Sequence, residues 1–471
     1  MGSIDNHLTF EVLRDTKPDD TTLPAFMVST TRGFLPRADP IATLPSEFEK
    51  LESILSRMPI KTQDGTPGLL ANFTLGETVL AELPNLTDAI NMYKDNLPLM
   101  NALYRDYSFL ASAYLLEPCH ERFIKDEPYG LGRQTLPSII SLPISRCAEL
   151  AGFKPFMEYA GSYALYNYRL EDPAKGFEYD NIRLIRAFEH GLDHTSSEAG
   201  FVKVHIDMVK DSGPLVDGVI SSLDSCEQNN RVAFDKAMNQ VVDSMDKINN
   251  VMDTMWGKSK PRDYTSFRTF IFGITSQSMF PHGVVYEGVS EKPLSFRGES
   301  GANDSMVPLM DNFLQISMPS TPLTAILKDF RSYRPGNHRD FLSYVADRST
   351  ALSLPSYALS SSSSAALYLL AQDQVRAFRW RHWCFTREYI LKNTSHPTAT
   401  GGSPIVTWLP NQLTAVLEAM TEVWKGREAE LKATEFGERC ERVMEVVKLQ
   451  KETLKKEVEK YCAEREGQQV S

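Results

Sequence analysis

Cysteine is sparse in this chain, and each one stands alone. Its 471 residues include Cys119, Cys147, Cys226, Cys384, Cys440 and Cys462, and no two form a CxxC pair. That argues against a structural zinc site or a thioredoxin-like redox pair, and the missing CxxCH excludes covalent c-type haem attachment. Scattered thiols fit a reducing, cytoplasmic setting. HExxH is also absent, which removes the zincin site, as are a GxGxxG after a strand and a GxxxxGK[ST] loop. No run of about 20 apolar residues occurs, so no membrane span is expected. The opening residues MGSIDNHLTFEVLRD lack the basic and apolar regions of a secretory signal. They match a myristoylation pattern only loosely, because residue 6 is Asn rather than Ser or Thr.

Positive charge is in deficit. Lys and Arg total 50 against 61 Asp and Glu, a formal net charge of −11. An acidic surface argues against nucleic-acid or anionic-membrane partners. Hydrophobic residues at 42% and charged residues at 24% leave enough apolar material for a sizeable core.

Alternating strand patterns are scarce and helical periodicity is plentiful. Residues 1–45, rich in Pro, Asp and Thr, read as an irregular arm. A helix is expected over Pro45 to Met58, with Leu51, Ile54 and Leu55 on one face and a capping box from Ser46 to Glu49. Others are expected over about Glu77 to Leu97 and Pro98 to Leu116. Glu117 to Leu142, with its Pro, Gly and charges, reads as a linker. Eight to ten further helical segments follow, and the last, about Pro410 to Glu466, is long and charged with a possible break at Gly437. The fold expected is all-α, with a small N-terminal helical domain (1–135) and a large helical domain (136–471). A monomer is the default expectation.

Nine histidines are candidates for chemistry. His190 and His194 in EHGLDH are four apart, but Gly191 weakens that helix and no third ligand is evident, so a polar helix end or turn is the plainer reading. His205 lies in the apolar stretch GFVKVHIDMV and alone reads as a core histidine. His338, in RSYRPGNHRDFL, reads alone as a helix-start histidine, with Asn337 or the residue before it as the cap.

Four ordered segments change this picture. They are LPSIISLPISRCAELAGFKPFMEYAGSYALYNY, RGESGANDSMVPLMDNFLQI (preceded by GVVYEGVSEKPLSF), RSYRPGNHRDFL and ATGGSP. Together they resemble the indoleamine 2,3-dioxygenase family over roughly residues 130–410. The resemblance implies haem b as cofactor and O2 as co-substrate. It implies insertion of both oxygen atoms across the indole C2–C3 bond, converting L-tryptophan to N-formylkynurenine. An electron donor would keep the iron ferrous.

Residue by residue, the resemblance implies His338 as the proximal iron ligand, Asp311 near the proximal side and Arg334 at a haem propionate. Tyr159 and Ser162 match pocket positions, and Ser300 and Gly301 match a small-residue loop over the haem. Thr400, Gly401 and Gly402 match a flexible loop that closes over substrate. Arg268 matches the carboxylate-binding arginine, Phe201 matches a pocket phenylalanine, and Tyr264 is placed to stack on the indole. Asn303 and Asp304 replace the usual glutamine and serine. His205 stands where a serine is usual and is expected to contact substrate or oxygen. Those departures leave two alternatives open: a same-fold oxygenase acting on a modified indole, or a weakly active haem-binding or signalling member.

Overall fold

Helices that are apolar on one face form shells, and helices that are apolar all round form centres. The computed structural model describes residues 11–190, 193–318, 322–393, 396, 398–403 and 405–469, and it bears out an all-α fold. Gly191, the opening Met-Gly segment with His7, and Pro404 of ATGGSP lie outside the described residues. Among the described residues, strand is confined to two small pairs. Thr135–Leu136 runs parallel to Val285–Tyr286, and Tyr168–Leu170 runs antiparallel to Ile182–Leu184. Among the described residues no helix is long and apolar enough to cross a membrane.

The main helices are numbered here in chain order. They are α1 (Leu97–Phe123), α2 (Ser138–Ala151), α3 (Ser197–Lys210), α4 (Ser212–Glu227), α5 (Arg231–Asp253), α6 (Pro261–Arg268), α7 (Met306–Phe313), α8 (Gly336–Ala351), α9 (Ser362–Phe385), α10 (Ile405–Trp424) and α11 (Gly437–Gln469). Both α1 and α9 are buried along most of their length. Helix α9 packs on α5 and α10, α10 packs on α11, and α1 packs on α2. One apolar cluster runs from Ala25 through Tyr104 and Leu309 to Tyr461.

Local chemistry explains where the elements stop and where they depart from expectation. The expected helix over Glu77 to Leu97 is two helices, Leu75–Glu82 and Thr87–Met92. Pro84 forces Leu83 into extended backbone between them. Asn96 caps α1, accepting from the Leu99 N–H at 3.1 Å, with Pro98 in the first turn. Helix α1 then continues past Leu116 to Phe123, through Pro118. Proline has no N–H to give the Tyr114 carbonyl, and the Arg133 guanidinium donates to that oxygen instead. The expected linker is therefore helical at its start. Ser46 makes no capping bond, so the capping box is not formed. Asn337 does not cap α8 either: its Oδ1 accepts from the Val28 N–H at 2.6 Å and ties the N-terminal arm to the helix start.

The most deeply buried ionic cluster joins α1 to the segment before α3. Asp106 accepts from Arg105 Nε at 2.8 Å and from Arg186 Nε at 2.9 Å, and Arg186 also holds Glu52. Burial opposes ionisation of Asp106, but the two guanidinium groups outweigh it and hold the carboxyl at about 2. Removing the carboxylate leaves buried Arg105 without its counterion and Arg186 with Glu52 alone. Asp106→Ala is therefore expected to cost about 3–5 kcal/mol in chemical denaturation. Because the folded value is depressed, the stabilisation is complete above the unfolded carboxylate value, roughly pH 4, and is lost as pH falls toward 2. An acid-unfolding midpoint unchanged between the parent and Asp106→Asn would contradict this.

Candidate functional site

Two adjoining cavities lie between α3, α6, α9 and the loops that precede α7 and α10. The smaller is about 140 Å³ and the larger about 510 Å³. Gly301, Asp304, Phe378, His382 and Leu409 line both, so they are lobes of one space.

Each element brings a particular side chain to the smaller lobe. Ser196 caps α3 through the Ala199 N–H at 3.1 Å, and that helix delivers Phe201, His205 and Met208. A turn of π-helix at Tyr159–Tyr163 presents Tyr159. Its start is fixed by the Glu158 carboxylate, which accepts from the Ala160 N–H at 2.8 Å. Helix α6 supplies Tyr264, whose ring lies 5.4 Å from Phe201. The small-residue loop supplies Glu299, Ser300 and Gly301, and the late Thr-Gly-Gly loop supplies Thr400. Thr400 Oγ1 donates to the Glu299 carbonyl at 2.7 Å, stitching the two loops together.

His205 has a defined tautomer. Its Nδ1 is 2.9 Å from the Phe201 carbonyl, and a carbonyl only accepts, so Nδ1 carries the proton. Burial lowers the imidazole pKa, although the Phe201 bond opposes this, so the ring stays neutral. Nε2 is then a hydrogen-bond acceptor. A Cβ built on Gly301 would lie only 3.8 Å from it.

The larger lobe has a different character. Arg331, Arg334, Arg339 and Arg379 line it with Asp311. Arg379 donates to Asp311 at 2.6 Å, yet its Nε and Nη1 are buried without a partner. Arg334 spends two of its donors on the loop carbonyls of Asp304 (3.1 Å) and Ala302 (2.9 Å). Asp304, in place of the usual serine, caps α7 by accepting from the Met306 and Val307 N–H groups.

The sequence expectations divide accordingly. Tyr159, Phe201, His205, Tyr264, Ser300, Gly301 and Thr400 come together in the smaller lobe, and Arg334 and Asp311 in the larger. Ser162, Arg268, Gly401 and Gly402 do not line the space. Ser162 is turned to the Glu158 carbonyl at 2.7 Å. Arg268 lies behind the wall, fully buried over the Phe272 ring and bonded to the Thr398 carbonyl at 2.9 Å, with Nε and Nη1 unpartnered. The Gly401 carbonyl accepts from Arg297 at 2.9 Å.

His338 stands apart from the two lobes. Its ring is packed between Phe34 (centroids 5.0 Å) and Phe26 (5.7 Å), and Nδ1 pairs with Ser305 Oγ at 3.1 Å. It is 1% exposed and faces neither lobe. The histidine that does face both lobes is His382, near the end of α9, and it went unnoticed in the sequence. It makes no hydrogen bond with a described residue. Burial, with His205 and Arg379 nearby, pushes its pKa down to about 4, so the imidazole is neutral. The signal available was Arg379-x-x-His382, two polar residues one turn apart on an otherwise buried helix.

Comparison with known proteins fits this geometry. The family model described as indoleamine 2,3-dioxygenase matches residues 22–451. An indoleamine 2,3-dioxygenase of Penicillium citrinum is 26% identical, covering 90% of this chain and 93% of its own. Human indoleamine 2,3-dioxygenase 2 is 26% identical over 69% of this chain and 78% of its own. A 6-hydroxytryptophan 2,3-dioxygenase of Fusarium equiseti is 23% identical over 69% of this chain and 74% of its own.

The Thr-Gly-Gly loop owes its shape to Gly402, whose φ is +80° and whose added Cβ would sit 2.4 Å from the Thr275 carbonyl oxygen. Gly402→Ala is expected to add about 1–2 kcal/mol of backbone strain and to displace the loop from Thr275. Limited proteolysis should cut the variant faster within residues 398–403. Equal cleavage rates would show that the loop tolerates a side chain there.

Proposed function

The chain belongs to the indoleamine 2,3-dioxygenase family, and from that premise we propose that it inserts O2 across the C2–C3 bond of L-tryptophan to give N-formylkynurenine. Members of the family are haem-dependent oxidoreductases of the EC 1.13.11 type. One observation carries the reading for this chain. A neutral His382 stands at the junction of an aromatic lobe and an arginine-lined lobe.

The residues fit haem b. His382, rather than His338, would hold the haem iron, because it lines the shared space and no described residue competes for its ring. Arg379 has buried donors without partners, which suits a propionate carboxylate, and Asp311 orients it. Arg334 lines the same lobe while bracing the small-residue loop. When bound, the haem supplies the oxygen chemistry, and an electron donor keeps its iron ferrous.

The rest of the work falls to the chain. Phe201, Tyr264 and Tyr159 give an indole a flat aromatic enclosure. His205 Nε2, as an acceptor, suits the indole N–H and holds the ring in register. Arg268 has two free donors for a carboxylate, which it reaches once the loop carrying Thr398 and Thr400 shifts. Closing that loop with Thr400, Gly401 and Gly402 excludes water from the lobe. A ring-hydroxylated tryptophan is the second reading. It is favoured by the polar groups His205 and Glu299 in the smaller lobe and by the relative named for 6-hydroxytryptophan.

Reduced, haem-loaded protein mixed anaerobically with L-tryptophan and then exposed to O2 should yield a product heavier by two oxygen atoms. Turnover of 6-hydroxytryptophan but not tryptophan would instead select the second reading. His382→Ala is expected to lose most bound haem, measured as haem per chain after purification. His338→Ala should keep its haem and lose thermal stability. The opposite pattern would return the iron-holding role to His338.

A further inference from the structure

Glu299 is the side chain in the smaller lobe that the proposed function leaves without a task. It is 2% exposed, it lines the lobe, and its carboxyl makes no hydrogen bond or ion pair with a described residue. The backbone around it is fixed on both sides. Thr400 donates to its carbonyl at 2.7 Å, the Arg297 guanidinium grips the Gly401 carbonyl, and Gly298 lies so close to Gly273 that a Cβ there would approach the Gly273 nitrogen to 2.2 Å. The carboxyl therefore enters the lobe from a stitched scaffold.

No lysine or arginine lines this lobe among the described residues. Residues 394–408, which include the facing loop, contain none in sequence. The charged neighbours are acids. Glu158 lies behind Glu299, and Asp304 is committed to capping α7. Burial, with Glu158 adding to it, pushes the Glu299 carboxyl up to about 8. A buried carboxyl without a partner is unfavourable for the empty fold. It becomes favourable when a ligand brings the missing positive charge.

We infer that Glu299 is the anchor for the ammonium group of the substrate, making this lobe selective for indoles that carry an amine. The inference rests on the proposed indole reading for the ring but not for the amine. On binding, the carboxyl gives its proton to solvent and pairs as a carboxylate with the –NH3+ group. His205 then reads the ring N–H at one end of the ligand while Glu299 reads the amine at the other.

The test is calorimetric titration of the haem-loaded protein and its Glu299→Gln and Glu299→Asp variants. Four ligands separate the groups: L-tryptophan, tryptamine, indole-3-propionate and 2-phenylethylamine. Glu299→Gln is expected to weaken tryptophan and tryptamine by about tenfold or more, as a lost charge-assisted bond does. It should leave indole-3-propionate within about twofold, which also reports that the site is folded. Glu299→Asp should recover part of the amine affinity. Equal weakening of all ligands, or unchanged amine affinity in Glu299→Gln, would overturn the inference. If 2-phenylethylamine binds in a Glu299-dependent way while the indoles do not bind the parent, the indole reading fails and the anchor stands. If no amine binds the parent, the anchor fails.

Discussion

Arg379 and Asp311 meet at 2.6 Å across the contact between α9 and α7, with the arginine almost wholly out of water. Two charges taken out of water give little net stability unless their geometry is good, but they fix position strongly. Here the pair fixes the site. His382 lies one turn beyond Arg379 on α9, and α7 begins directly after the small-residue loop. That loop is pinned from two directions, by Asp304 on the α7 N-terminus and by Arg334 on the carbonyls of Ala302 and Asp304. The register of α9 against α7 therefore decides how far His382 stands from Gly301, and so the height of the space between lobes.

Charge is sorted by lobe. The larger lobe gathers four arginines, and the smaller has no cation among the described residues but does have Glu299, Asp304 and a neutral His205. Such sorting suits an anionic cofactor edge on one side and a ligand with a positive end on the other. Arg268 fits the same scheme from behind the wall. Its two unpartnered nitrogens are kept from the lobe by the loop whose Thr398 carbonyl it holds, so access to a carboxylate is coupled to loop position. A cation standing openly in the lobe would instead have neutralised Glu299.

Much of this was legible in the residues. Helical periodicity gave the all-α fold, and the small-residue and Thr-Gly-Gly segments, each legible as a motif, meet through Thr400 and Glu299. Helix ends were legible only in part: Pro98 marked the start of α1, whereas the break at Pro84 was missed and the rescue of the Tyr114 carbonyl by Arg133 depends on tertiary contact. The placing of the histidines was hidden for a related reason. His338 sits after a Pro-Gly break, where a functional residue stands out in one dimension. His382 sits inside RWRHWCF, where aromatic and basic neighbours resemble an ordinary half-buried helix. Which face of α9 meets a cavity is settled by α5, α7 and α10 together. Glu299 was similarly hidden, because burial without a partner cannot be seen in a sequence.

His338 still has a physical explanation for its prominence. Its ring closes a small aromatic box with Phe26 and Phe34 from the N-terminal arm, and the neighbouring Asn337 holds the Val28 N–H at 2.6 Å. From that box, Nδ1 reaches Ser305, the residue after Asp304. Burial, with Arg334 nearby, pushes the His338 pKa down to about 3, so the ring is neutral and costs no buried charge. His338 thus joins the arm to the loop that lines both lobes, and it lines neither lobe itself. A residue in that position bears on the space through Ser305 and the adjoining Asp304.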